Sequence, residues 1–324
     1  MSDKTYLLTG SMGCIGAWVL RHLVDRGERV IATDVSTDPV RPGLLLNGEE
    51  LDTIDWRQLD VTDTQAVVNM VADENVTHII HLAGLQIPFC RENPPLGAAV
   101  NVIGTINILE AARHNGVRGL SYASSLAALG PDAMYDKPVP DQVERVPAML
   151  YGVYKVANEE SARIYAQDWN VGSVGLRPYV VYGVARDQGV TADCAKAILA
   201  AAAGRKFHIR FDGDVTMQHA SDVAQIFIRS SDTETKDAHV CNLRNDVLSM
   251  ADFVAVLKDV CPSAEITWEH NAALPFPADL SDKGLKSLLG EVPYTPMADA
   301  IRSDIERYTQ LLDEGRIDLA QLDR

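Results

Sequence analysis

Short, mainly apolar runs lie at residues 6–8, 30–33, 78–82, 120–123 and 174–176. Runs of that length without polar alternation are what a strand shows when both of its faces are covered. Between them the apolar period changes. Ile15, Val19, Leu23 and Val24 share one face of a helix, as do Ala66, Met70 and Val71. Val102, Ile106, Leu109 and Ala112 mark a longer helix that follows the start signal of Pro94 and Pro95. Strands alternating with helices predict an α/β protein built on a doubly wound parallel sheet. Beyond Arg177 and Pro178 the segments shorten, with helices predicted at 191–203, 221–231, 250–260 and 297–312. The chain divides, without a repeat or low-complexity linker, into residues 1–178 carrying the sheet and a smaller C-terminal domain over 179–324. Some segments of the latter are expected to return and pack on the sheet.

Composition narrows the partners. The chain has 324 residues, 47% of them hydrophobic, and a formal net charge of −16. That charge repels nucleic acid and anionic membrane at long range, but leaves room for a small anion at a local positive site. Five dispersed cysteines without a C-x-x-C pair read as reduced thiols. No basic n-region leads an apolar stretch, and no run reaches the ~18 apolar residues of a membrane span. The expectation is a cytoplasmic protein. No H-E-x-x-H and no Cys/His cluster suggests a metal.

The first apolar run ends in "TGSMGCIG", with glycines at Gly10, Gly13 and Gly16. Glycine permits the sharp strand-to-helix turn and lets a ligand approach the backbone. The helix that follows offers unpaired N–H groups to a diphosphate. The spacing differs from the general G-x-G-x-x-G dinucleotide pattern. Asp34, closing the second run at about the ~20-residue offset of a ribose-binding carboxylate, strengthens the reading and favours NAD over NADP. Asp60, in "QLDVTD", either meets the adenine or caps the next helix.

"YGVYK" places Tyr151 and Lys155 four residues apart, on one helical face. A phenol ordinarily ionises near pH ~10; a nearby ammonium and an oxidised nicotinamide both favour the phenolate. Tyr151 can then act as general base on an alcohol whose carbon gives up hydride. Tyr154 has Asn158, not lysine, at the same spacing. Ser124 and Ser125 close the strand before this helix, where a hydroxyl can orient the reacting oxygen.

Together these segments resemble the extended short-chain dehydrogenase/reductases, the NAD-dependent epimerase/dehydratase family that includes nucleotide-sugar epimerases. "HLAGL", "NVIGTINILEAA", "SSLAALG", "LRPYVVYG" and "QHASDVA" are similar to further family segments. The resemblance implies a Rossmann-like NAD-binding domain over 1–178, a mainly substrate-binding domain over 179–324, and a catalytic set of Ser125, Tyr151 and Lys155. It implies NAD contacts from Gly10, Met12, Gly13, Cys14, Ile15, Gly16, Asp34, Asp60 and Val61. Further along the chain it adds Leu82, Ala83, Gly84, Asn101, Ser124, Tyr151, Lys155, Tyr179 and Val181. Substrate contacts are expected from Gln86, Arg91, Ser125, Leu126 and Tyr179, with Arg91 able to hold a carboxylate. His78 and His81 read as core histidines. A homodimer is implied through the helix near residues 100–113 and the Tyr151 helix.

Two departures bear on substrate. Val215 stands where nucleotide-sugar epimerases carry a base that grips the diphosphate, and "LPFPADLS" (residues 274–281) lacks the second arginine. Leu126 and Ala127 replace the acid pair of sugar dehydratases. What remains is oxidation, final or transient, of a secondary hydroxyl on a sugar or sugar acid. The alternatives are a nucleotide-sugar epimerase with a rearranged diphosphate site, served by Arg205, Lys206 or Arg210, and a catalytically idle NAD sensor or scaffold.

Overall fold

A computed structural model describes residues 3–189 and 191–323. Its main sheet has seven strands, all parallel: β1 (Thr5–Thr9), β2 (Arg29–Asp34), β3 (Asp55–Gln58), β4 (His78–His81), β5 (Gly119–Ala123), β6 (Ser173–Arg177) and, from the C-terminal half, β10 (Ala238–Asn242). Their order is β10-β6-β5-β4-β1-β2-β3. β1 pairs with β2 through Leu7 opposite Ile31, and with β4 through Leu7 opposite Ile79; all three side chains are fully buried.

Helices cover both faces, as the mainly apolar strands require. α1 (Cys14–Asp25) and α9 (Ala220–Ser231) pack on one face through Val19, Leu20, Leu23, Val223 and Phe227. α3 (Thr64–Asp73), α6 (Gly104–Asn115) and α7 (Leu150–Trp169) cover the other through Val67, Val71, Ile108, Leu109 and Ala162. The short helices α2 (Gly48–Asp52), α4 (Ile87–Glu92) and α5 (Pro94–Ala98) lie in the connections. The sheet turns back between β1 and β4, since β2 and β3 lie to one side and β5, β6 and β10 to the other. Loops leaving the carboxyl ends of β1 and β4 diverge there and open a crevice.

Beyond β6, a three-stranded sheet orders β11 (Asp246–Ser249), β9 (Asp214–His219) and β7 (Val180–Tyr182), and β12 (Ile266–Trp268) pairs with β8 (Phe207–Ile209). Helices α8 (Asp193–Ala202), α10 (Met250–Val260) and α12 (Met297–Asp313) close a second core around Tyr182, Ile198, Phe253 and Ile301. Helix α11 (Lys283–Leu289) lies against β10.

The five apolar runs are strands β1, β2, β4, β5 and β6. The edge strands β3 and β10 escaped that pattern because an edge strand has less to bury: "DWRQ" is half-exposed to exposed, and β10 begins half-buried. The long helix is interrupted. Its residues Ala99–Ile103 form a π-turn between α5 and α6, and Asn101 sits inside it. The combined segment Pro94–Asn115 is long and apolar enough to cross a membrane by length and composition, although polar residues interrupt it. Half of its most apolar 18-residue stretch is buried inside the fold, and α6 packs on α3 and α7.

Candidate active site

Gly10 leaves β1 at φ +72°, and a Cβ built on it would lie 2.6 Å from the Ala83 nitrogen. Only glycine permits both. A Cβ on Gly16 would stand 2.3 Å from the Gly10 carbonyl, so the third glycine is what lets α1 fold back on the turn. Gly13 is the N-cap, no side chain caps α1, and its first turn holds no acid. The N–H groups of Cys14, Ile15 and Gly16 therefore lie at the positive end of the helix without an intrahelical acceptor.

Two adjoining cavities, of about 260 and 290 Å³, open on this turn and share Gly10, Gly13, Cys14, Leu82, Gly84 and Gln86. The larger runs over the β2 side, lined by Met12, Asp34, Asp60, Val61 and Ala83. Asp34 accepts hydrogen bonds from the Met12 and Val35 N–H groups at 3.1 and 2.8 Å. Asp60 accepts from the Thr62 N–H and hydroxyl through one oxygen only. Arg41, which no sequence motif marks, also lines this cavity. It donates to the Met12 carbonyl at 2.9 Å and to both oxygens of Asp187 at 2.8 and 3.1 Å.

The smaller cavity runs towards the C-terminal half. It is lined by Ile15, Gly16, Ser124, Ser125, Leu126, Tyr151, Lys155, Tyr179 and Val181, with Leu274, Phe276 and Arg186. Ser125 opens a 3₁₀ turn and accepts the Ala127 N–H at 3.2 Å. Burial raises the Tyr151 phenol above its ordinary value; the hydrogen bond with Ser125 pulls it down, as, more weakly, does Arg186. Lys155 was expected to lower the phenol. Its Nζ lies 5.4 Å from the Tyr151 ring centroid and donates to the Ala123 carbonyl at 2.8 Å. Burial brings its own pKa down to about 8. In the free protein the pull on Tyr151 comes from Ser125 and Arg186.

Other residues singled out in the sequence lie elsewhere or hold the frame. Ser124 borders the cavity, but its hydroxyl donates to Glu159. Glu159 is fully buried, takes a bidentate pair from Arg177 at 2.8 and 2.7 Å, and accepts from Arg145 at 3.1 Å. Asn101 lines neither cavity; its amide donates to the Gly97 and Leu85 carbonyls, with Oδ1 buried beside Gly84. Arg91 is exposed on α4 and lines neither cavity. Tyr154 donates to the Pro94 carbonyl, and His81 sits between Thr9 and Thr105. Among the described residues no group of His, Cys, Asp and Glu could hold a metal.

The positions at which nucleotide-sugar epimerases are expected to grip the diphosphate hold no cation here. Val215 is fully buried in β9. Leu274 and Phe276 present apolar surface to the cavity, and Phe276 stacks edge-on against Tyr179. Arg205 is exposed, Lys206 pairs with Glu265 and Arg210 with buried Asp193, all away from both cavities.

Residues 6–243 match the model of the NAD-dependent epimerase/dehydratase family. The UDP-glucose 4-epimerase of Mycolicibacterium smegmatis is 30% identical over 69% of this chain and 72% of its own. The fold is that of UDP-glucose 4-epimerase from Thermotoga maritima (TM-score 0.81, 20% identity, 95% of this chain and 99% of the other). It is shared by a GalE-like L-threonine dehydrogenase from Cupriavidus necator (TM-score 0.78, 20% identity, 95% and 99%). A glycine turn at an uncapped helix, a serine–tyrosine–lysine set on the adjoining wall, and a family match over most of its length make this chain a member of the NAD-dependent epimerase/dehydratase family.

Proposed function

We propose that the protein is an NAD-dependent oxidoreductase acting on a secondary hydroxyl of a sugar or sugar-acid-like substrate, either releasing the oxidised product or returning hydride to it. The observation that carries this reading is that Ser125, Tyr151 and Lys155 line one cavity, continuous with the glycine turn of α1. The uncapped first turn of α1 fits a diphosphate, and Asp34 and Asp60 border the groove beyond it. Bound there, NAD supplies the hydride acceptor. Ser125 holds the substrate hydroxyl beside the Tyr151 oxygen, which takes the hydroxyl proton while the carbon loses hydride. Lys155, anchored on Ala123, carries a positive charge at the floor of the site. Residues 1–178 carry the coenzyme, and 179–324 mainly shape the substrate pocket.

A nucleotide-sugar epimerase is the second reading, favoured by the likeness to the Mycolicibacterium enzyme. Buried Val215 and the apolar Leu274 and Phe276 weigh against it, because a diphosphate lying on those positions would lack the charge-assisted bonds that cations supply. A screen of sugars and sugar acids with NAD decides. NADH absorbance growing with one of them supports a dehydrogenase, and interconversion without NADH release supports an epimerase. A saturable thermal shift with uridine or thymidine diphosphate favours the second reading. Exposed Leu96, Ile103, Leu150 and Val153 supply apolar surface for a homodimer; sedimentation that gives a monomer at assay concentration removes that part.

A further inference from the structure

The substrate-side cavity differs in charge from the molecule around it. The chain carries a net charge of −16, yet among the described residues no aspartate or glutamate lines this cavity, and its two cations are Lys155 and Arg186. Lys155 is held by the Ala123 carbonyl. Arg186 is not held in that way. Among the described residues its Nε is buried without a partner, and its side chain makes one long hydrogen bond, 3.4 Å from Nη2 to the Thr191 hydroxyl. A guanidinium in a cavity with unused donors is an incomplete site for a planar anion.

The surrounding backbone is built to keep it there. Ala185, immediately before Arg186, has φ +74°, and Gly183 and Gly189 have φ +131° and +101°. An L-alanine at positive φ is strained, and such strain persists only where the neighbourhood over-determines it. The neighbourhood is visible: α1 grips this loop through the Trp18 ring N–H, which donates to the Val184 carbonyl at 3.0 Å. A methyl built on Gly189 would stand 2.6 Å from Gln86 Oε1 and 3.0 Å from Arg186 Nη2. The loop, Gln86 and Arg186 are thus drawn tightly together in the wall of the cavity that Tyr151 also lines.

We propose that Arg186 is the anion anchor of the substrate, and that the alcohol oxidised here carries a carboxylate. This deepens the oxidoreductase reading and rests on it. The carboxylate lies against the Arg186 fork, with Thr191 and the Gln86 amide as further donors. The hydroxyl-bearing carbon then falls towards Ser125 and Tyr151. The apolar wall of Leu274, Phe276 and Tyr179 closes the far side and offers a nucleotide diphosphate no cation there. Arg186 also borders the coenzyme groove, so the diphosphate of NAD could draw on the same guanidinium. The α1 N-terminus already serves that group, and this assigns Arg186 to the substrate.

The test pairs D-glucuronate, D-galacturonate, D-gluconate and L-threonine with neutral D-glucose and D-galactose on the full chain with saturating NAD. Binding is read by calorimetry and turnover by NADH absorbance. At least one carboxylate should saturate while the neutral sugars do not. Arg186→Met should weaken that carboxylate about 30-fold or more, Arg186→Lys should restore part of the loss, and NADH affinity by fluorescence should stay within about 3-fold. The proposal is overturned if no carboxylate saturates, if neutral sugars bind as well, or if Arg186→Met leaves the carboxylate untouched. A loss of NADH affinity in place of carboxylate affinity overturns it too, by giving the guanidinium to the coenzyme. Tyr151→Phe separates the two readings. Turnover that survives it, with binding still dependent on Arg186, sinks only the catalytic assignment. A neutral sugar oxidised through Tyr151, with Arg186→Met silent, sinks only the anion anchor.

Discussion

Arg41 and Asp187, 146 residues apart in the chain, meet in a bidentate ion pair across the coenzyme groove. Through Met12 the pair is tied to Asp34, because the Met12 carbonyl accepts from Arg41 and the Met12 N–H donates to Asp34. An arginine at this end of the groove is the kind of residue that receives a 2′-phosphate. Here Asp187 neutralises it, and Asp34 adds repulsion. Asp187→Asn frees Arg41 and should shift preference from NAD towards NADP by about tenfold, roughly the worth of one partly exposed charge contact. Asp34→Ala should act in the same direction. Ratios of kcat/KM for the two coenzymes measure both, and an unchanged ratio in either variant removes that residue from coenzyme selection.

Tyr151→Phe removes the proposed proton acceptor and leaves the groove intact. Turnover should fall by about 10²–10⁴-fold, the usual worth of a general base, while NADH binding by fluorescence stays close to wild type. Ser125→Ala should lower activity and also move the ascending limb of the pH profile to higher pH, since its hydrogen bond favours the phenolate against burial. Full activity in Tyr151→Phe would remove this residue from the chemistry.

Lys155 is held in the cavity wall at a cost to the fold. Burial lowers its pKa to about 8, so the folded chain binds this proton less tightly than the unfolded one. Below pH 8 the charged amine weakens the fold. As pH rises from 8 towards the unfolded value of about 10.4, the folded state is neutral while the unfolded state is still charged, and stability returns. Lys155→Met should therefore stabilise the coenzyme-free protein at pH 7 by about 2 kcal/mol, after allowing for the lost bond to Ala123. That advantage should shrink above pH 8 and turnover should be lost. Urea titrations at pH 7 and pH 10 check the sign; an advantage that grows with pH contradicts it.

Glu159 presents the opposite case. It is fully buried under Arg177, Arg145 and Ser124, and its removal strands the buried guanidinium of Arg177. Glu159→Ala should cost about 3–5 kcal/mol in urea unfolding. Ser124→Ala, which deletes one neutral donor, should cost about 1 kcal/mol. Equal losses would show that the ion pair is not what holds the end of β6 to α7.

Much of this was legible in the order of residues because it depends on local geometry. A strand covered on both faces must be apolar throughout, a sharp turn into a helix needs glycine, and two side chains four apart on a helix share a face. These constraints gave the parallel sheet, the glycine turn and the Tyr151–Lys155 pair. The edge strands β3 and β10 bury less and so carry no such signature. Tertiary structure alone decided which charges face the cavities. It left Arg91 in solvent, turned Asn101 and the Ser124 hydroxyl to the frame, and brought Arg41 to Asp187 and Arg186 to the cavity that Tyr151 lines. An arginine reads the same in sequence whether it is solvated, paired or waiting for an anion. Its role is set by partners far along the chain, which only the folded backbone brings within reach.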